Sequence, residues 1–259
     1  MFDFMPHPAH TFMSAPPVLC LSGPTGMRDE WIGLADCLGP RGACQSFDDA
    51  SVLRRRLWAA PDGAHLVAHG TAAYHVLKMA EEMPERVRSL TLVDPDIIQA
   101  LPELAACPQF FGHQTLIRRV REALPLGRLE AAAARVTEWW MGRGTWATTS
   151  HATKERVAEA MPALAREWHI QEDAPLTLLS LVTLSCPVRI IAGRRTPSSI
   201  RSLVRLLRVA VPEVSVTFVK GARGACHLTD PHVVGPEISN FIVSSDADWH
   251  TQPSLLAAA

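Results

Sequence analysis

The sequence predicts an α/β protein, a mostly parallel sheet with helices on both faces and an inserted helical lid. Three observations predict it. Short apolar runs alternate with helical periodicities over residues 17–96, and the same alternation resumes from residue 187. Between the two stretches, residues 97–183 read as helices alone. The 259 residues are 47% hydrophobic and 20% charged, enough apolar material for one large domain with an insertion and too much for a disordered chain. The domain reading is therefore residues 1–96 and 184–259 as the core and residues 97–183 as the lid.

Residues 1–15, with Pro6 and Pro8, show no period and read as an irregular arm. Val18-Leu19-Cys20-Leu21 is a short apolar run closed by Ser22-Gly23-Pro24-Thr25-Gly26, the pattern of a buried strand and a turn. Trp31, Ile32, Leu34, Ala35 and Leu38 have helical spacing behind Asp29 as N-cap. Ala43–Phe47 reads as a strand, and Asp49 caps a helix through Trp58. Ala64–Ala68 is a strand, Thr71–Met83 a helix, and Val87–Val93 a strand ending at Asp94-Pro95-Asp96. The lid helices are predicted at Leu116–Leu124, Leu129–Met141 and Lys154–Ile170, carrying Trp139, Trp140 and Trp168, with Trp146 between them. Pro187–Ile191 and Val214–Val219 then read as strands, and 198–210 and 232–243 as helices. The tail from Ser244, polar and then Ala-rich, is expected to fray.

Composition excludes several function classes. There are 25 basic and 26 acidic side chains, so nothing in the charge attracts nucleic acid. No apolar stretch approaches the roughly 20 residues that span a bilayer. The first 27 residues hold no Lys or Arg, unlike the start of a secretory signal. Cys20, Cys37, Cys44, Cys107, Cys186 and Cys226 lack paired spacing, so neither a metal site nor a disulfide framework is predicted. Gly23-Pro24-Thr25-Gly26 lacks the Lys-Ser/Thr of a phosphate loop, and no GxGxxG follows a strand. The expectation is a cytoplasmic protein without cofactor, partnered by a small molecule and not by nucleic acid or membrane. A homodimer, a carrier protein and a coenzyme A thioester stay open as partners. Arg201, Arg205 and Arg208 share a helix face with Arg194 and Arg195 upstream, and a solvated face explains them better than a phosphate-bearing partner.

The informative segment is His65-Leu66-Val67-Ala68-His69-Gly70-Thr71-Ala72-Ala73, then a helix, then Pro84-Glu85-Arg86-Val87 leading to Leu92-Val93-Asp94. It resembles the α/β-hydrolase family, in which a strand ends in a G-x-S-x-G elbow, a helix follows, and a P-E-R-V stretch enters the next strand. The resemblance extends in element order over residues 16–243. Ser22-Gly23 stands where the family has His-Gly, Cys186–Gly193 matches the strand before the acid, and Gly224-Ala225-Cys226-His227 matches the histidine loop.

The departures bear on function. Gly70 occupies the nucleophile's position and offers no heteroatom, a loss that costs about a millionfold in a serine protease. Thr196 falls where the family's acid would be and cannot hold an imidazolium as a carboxylate does. Pro24 lacks the N–H that the oxyanion loop would lend. The resemblance thus implies an α/β-hydrolase-fold protein with a degenerate triad, acting on a small apolar organic molecule. Acyl-enzyme hydrolysis is not expected. Proton-transfer chemistry (elimination, cyclisation, decarboxylation or cofactor-free oxygenation) is, with a non-catalytic binding protein and a hydrolase or thioesterase with an atypical nucleophile as alternatives.

His227 is the candidate base, or else a structural histidine. Asp94, where some families of this fold carry their acid, is its candidate partner, with Asp96 second. Ser22, Gly70, the backbone N–H of Thr71, Trp139 and Trp140 are candidate substrate contacts. His69 reads as packing beneath the elbow, and Tyr74 as core.

Overall fold

The computed structural model describes residues 15–26, 28–38 and 44–249. Among the described residues, six strands form one sheet: β1 (Val18–Leu21), β2 (Cys44–Phe47), β3 (Ala64–His69), β4 (Val87–Val93), β5 (Val188–Gly193) and β6 (Val214–Val219). Their order is β2-β1-β3-β4-β5-β6 and every pairing is parallel. The chain moves outward from β1 to β2 and then restarts on the other side of β1 with β3. The crevice beyond the carboxyl ends of β1 and β3 is therefore the switch point of the sheet, where open α/β sheets bind ligands.

Successive residues of a strand face opposite sides of a sheet, so each strand feeds two cores. Leu19, Leu21, Leu66, Leu90, Leu92 and Ile190 face a layer that includes α2 (Ala50–Trp58), α3 (Ala72–Glu82) and α9 (Ser198–Ala210). Val18, Cys20, Val67, Val93 and Ile191 face the other, against α1 (Ile32–Leu38) and α11 (Pro231–Trp249). Between β4 and β5 lie α4 (Phe111–Ala123), α5 (Leu129–Met141), α6 (Thr145–Thr148), α7 (His151–Asp173) and α8 (Leu178–Val182). Three of these share a core of their own, with Val120 from α4, Ala132 and Val136 from α5, and Met161, Leu164 and Trp168 from α7. A short turn of helix, α10 (Cys226–Thr229), precedes α11.

The helical block is tied to the sheet domain by directed contacts. Tyr74 on α3 donates its hydroxyl to the carbonyl of Ala174 at 2.7 Å. Gln171 donates to the carbonyl of Asp96 at 3.1 Å, and His75 on α3 meets Glu167 on α7 at 2.6 Å.

Several boundaries differ from the sequence reading. Helix α1 starts at Ile32, after a 3-10 turn over Arg28–Trp31 that contains Asp29, so Asp29 is not at the cap position. The fraying expected from Ser244 is corrected: α11 continues to Trp249, because Asp246 on its last turns is held by His65 and Arg88. The five-residue α8 escaped periodicity and is held by a capping box between Thr177 and Ser180. The arm assigned to residues 1–15 lies outside the described residues except for Ala15.

Candidate functional site

The strand-to-helix corner expected at Gly70 is present. β3 ends at His69, α3 begins at Ala72, and Gly70 between them has φ +60, a left-handed value at which a side chain is strained. The corner is fixed by its own amides. Gly70 N–H donates to Val93 O at 3.1 Å, and its carbonyl accepts from Asp96 N at 2.9 Å. A Cβ at position 70 would meet nothing within 4 Å beyond its chain neighbours, so the space beside the corner is open. Gly23, in the loop after β1, lies against the corner: a Cβ there would approach Thr71 Oγ1 at 3.2 Å and His69 O at 3.6 Å.

Above this corner is a cavity of about 240 Å³. Gly70, Thr71 and the Gly23–Gly26 loop form its floor. Val136, Trp140 and Met141 from α5, with Val157 and Leu164 from α7, form an apolar roof, and Glu30, His69 and Asp96 supply the ionisable side chains. Among the described residues, no Lys or Arg lines it. The roof touches the histidine loop closely. Gly224 N–H donates to Trp140 O at 3.4 Å, and a Cβ on Gly224 would collide with the Trp140 indole.

The candidate residues separate into those that reach this cavity and those that do not. Gly70, Thr71 and Trp140 line it. Trp139 stands edge-on to Trp140 at 4.9 Å and packs on His113, behind the wall. Ser22 Oγ accepts from the Trp31 indole N–H at 3.2 Å and lines a neighbouring cleft with His75 and Glu167. His227 lies one layer deeper. The residue is 6% exposed, its ring stacked on Trp31 at 4.5 Å and tilted against His69 at 4.5 Å. Burial pushes its pKa down to about 3. The imidazole at the cavity wall is His69, which sequence reasoning assigned to packing alone. Burial and, after it, the neighbouring His227 push His69 down to about 4, against the pull of Glu30 and Asp96. Both rings are thus neutral at neutral pH and each keeps a free lone pair.

Asp94 does not ion-pair with His227. It is fully buried at the end of β4 with φ +41, and its two oxygens accept from Gly193 N at 3.0 Å and Cys226 N at 3.2 Å. It clamps the β5 end and the histidine loop to β4, and desolvation raises its pKa to about 6. Thr196 is buried beside it, on the turn after β5. The carboxylate that faces His227 is Glu30, whose Oε2 stands 3.8 Å from His227 Nε2 and 3.9 Å from His69 Nδ1. Both Glu30 oxygens are buried without a hydrogen-bond partner, as are both nitrogens of His227. Asp96 stands 2.9 Å from Nε2 of the buried His113. Of the arginines on α9, Arg201 turns back to the Thr196 carbonyl, while Arg205 and Arg208 are exposed.

No protein-family model matches the chain, and no curated protein matches it in sequence. Solved structures do. An α/β hydrolase from Sphaerobacter thermophilus superposes with a TM-score of 0.62 at 18% identity, covering 88% of this chain and 93% of the other. A carboxylesterase of Nitrososphaera gargenis superposes with a TM-score of 0.67 at 13% identity, covering 90% and 92%. The chain has the α/β-hydrolase fold. A third α/β-hydrolase-fold structure, the thermophilic esterase of Thermogutta terrifontis, matches at 15% identity with a TM-score of 0.62, over 90% of this chain and 91% of its own. At such identities the likeness describes the architecture, and the chemistry of this α/β-hydrolase-fold chain rests on its own side chains. No helix among the described residues is long and apolar enough to cross a membrane.

Proposed function

We propose that this chain binds a small, mainly apolar organic molecule with one polar group in the cavity over Gly70, beneath residues 97–183 acting as a lid. It moves a proton on that molecule without forming an acyl-enzyme, in chemistry of the elimination, cyclisation, decarboxylation or cofactor-free oxygenation kind. One observation carries the proposal: the space where the nucleophile would stand is open, and Glu30 and His69 border the same cavity. The substrate's apolar body lies against Val136, Trp140 and Val157, and its polar group points toward the Thr71 N–H and the carboxylate–imidazole cluster. The cluster supplies the proton acceptor at the cavity, with His227 stacked behind as its inner member. A lid that excludes water strengthens every charge interaction inside.

The test is proton exchange. Small ketones and β-keto acids are incubated with the protein in D2O, and loss of the α-proton signal is followed by NMR. His69→Ala is expected to lower the exchange rate by about 10²–10⁴-fold, the usual contribution of a general base, at unchanged ligand affinity. Tight ligand binding with no exchange in any member of the series favours the second reading, a non-catalytic binding protein. That reading draws on the deep stacking of His227 under Trp31.

A further inference from the structure

Glu30 poses an electrostatic problem that the contacts around it leave open. Its side chain is fully buried, neither oxygen has a hydrogen-bond partner among the described residues, and its nearest polar neighbours there are two imidazoles, at 3.8 and 3.9 Å. A buried carboxylate without compensation is strongly disfavoured, so such groups are paired or bind metal. The cavity adds Asp96, a second acid, and no Lys or Arg among the described residues. Among the described residues, the polar end of the site thus has no cationic side chain lining it.

The geometry supplies a place for one. One oxygen of Glu30 and one nitrogen each of His69 and His227 all lie within 4.8 Å of one another. Three separate loops at the carboxyl end of the sheet bring them there: the turn after β1, the end of β3 and the start of α10. Two imidazoles and one carboxylate form a donor set suited to a divalent first-row transition ion, with borderline softness and room for further ligands. A tetrahedral zinc with bonds of about 2.1 Å separates its donor atoms by about 3.4 Å. The two Glu30–His distances, 3.8 and 3.9 Å, require an inward movement of about 0.5 Å, and the two imidazole nitrogens, within 4.8 Å of each other, one of up to about 1.4 Å. Because Glu30 and His69 border the cavity while His227 lies behind them, the remaining coordination position faces the ligand space.

We propose that Glu30, His69 and His227 form a binding site for one divalent transition-metal ion of the zinc class, open toward the cavity over Gly70. The inference rests on reading that cluster as the reactive end of the cavity. The ion compensates the buried carboxylate, polarises an oxygen of the bound molecule, and turns a coordinated water into the proton acceptor that the cluster provides.

Metal is removed from the full-length protein with chelator, and Zn²⁺ is titrated in by calorimetry without any substrate. Co²⁺ is added in parallel for its visible ligand-field spectrum. The expected result is one equivalent of Zn²⁺, with affinity falling at least 100-fold in Glu30→Gln, His69→Ala and His227→Ala but unchanged in His151→Ala, an exposed histidine outside the cluster. Should the cluster variants fail to fold, anomalous diffraction from Zn²⁺-soaked wild-type crystals decides, through a peak between the three side chains. No stoichiometric binding, equal affinity in the folded cluster variants, or an anomalous peak elsewhere overturns the proposal. The proton-exchange reading stands or falls separately, because the metal titration involves no substrate.

Discussion

Placing a serine at the corner tests both the backbone geometry and the proposal that no catalytic relay stands behind it. Gly70 has φ +60, and a non-glycine residue in the left-handed region costs about 1–2 kcal/mol. Serine also narrows the unfolded ensemble, which returns about 0.4–1 kcal/mol. Beyond its chain neighbours no atom lies within 4 Å of the added Cβ, so no clash at that atom contributes. The net loss is about 1 kcal/mol, which lowers the melting temperature of a chain this size by roughly 2–4 °C. Gly70→Ser is therefore expected to fold normally by circular dichroism and to melt only slightly earlier. Esterase activity on p-nitrophenyl acetate stays at background, because His227 is stacked under Trp31 and Asp94 is engaged by Gly193 and Cys226. A stability loss above about 4 kcal/mol refutes the open corner, since that size signals a steric or buried-polar defect. Rapid ester turnover refutes the claim that the relay is gone.

Asp94 gives a pH signature. Its carboxyl is raised to about 6 in the folded chain from 3.8, so the native state holds the proton more tightly than the unfolded state. Its contribution is greatest below pH about 4 and declines as pH rises toward 6, by at most about 3 kcal/mol. Urea melts of wild type and Asp94→Asn are expected to show the wild type losing ground to the variant over that interval; a constant or widening advantage contradicts it. Trp140→Ala, which removes roof from the cavity while leaving Gly70 untouched, is expected to weaken an apolar fluorophore about tenfold, with Trp139→Ala changing its affinity little. Equal effects would place the ligand elsewhere. His75→Ala removes the 2.6 Å contact with Glu167 and is expected to cost about 1 kcal/mol and to speed amide exchange in α7. Unchanged exchange in α7 means that contact does not hold the helical block.

The sheet was legible because its inner strands are buried on both faces and read as short, mostly apolar runs, unbroken at Val18–Leu21. The corner at Gly70 was legible from its place between such a strand and an amphipathic helix. The cluster beside it was not. Glu30 sits in a single 3-10 turn, His69 at a strand end and His227 in a four-residue helix, so neither period nor spacing connects them. Only the convergence of loops at the switch point of the sheet does. Asp94 shows a related limit: its position suits a catalytic acid, and the backbone amides its oxygens accept from are not displayed by sequence. The faint available signal was a carboxylate next to a tryptophan in the loop after the first strand, where Glu30 and Trp31 both reach His227.

The most direct measurement is the intact mass of the wild-type protein after prolonged exposure to a fluorophosphonate that phosphonylates the nucleophile of serine hydrolases. With open space at the elbow and a carboxylate–imidazole cluster as the reactive end, the mass stays unchanged. A stoichiometric phosphonyl adduct would reveal an enzyme nucleophile and contradict that assignment.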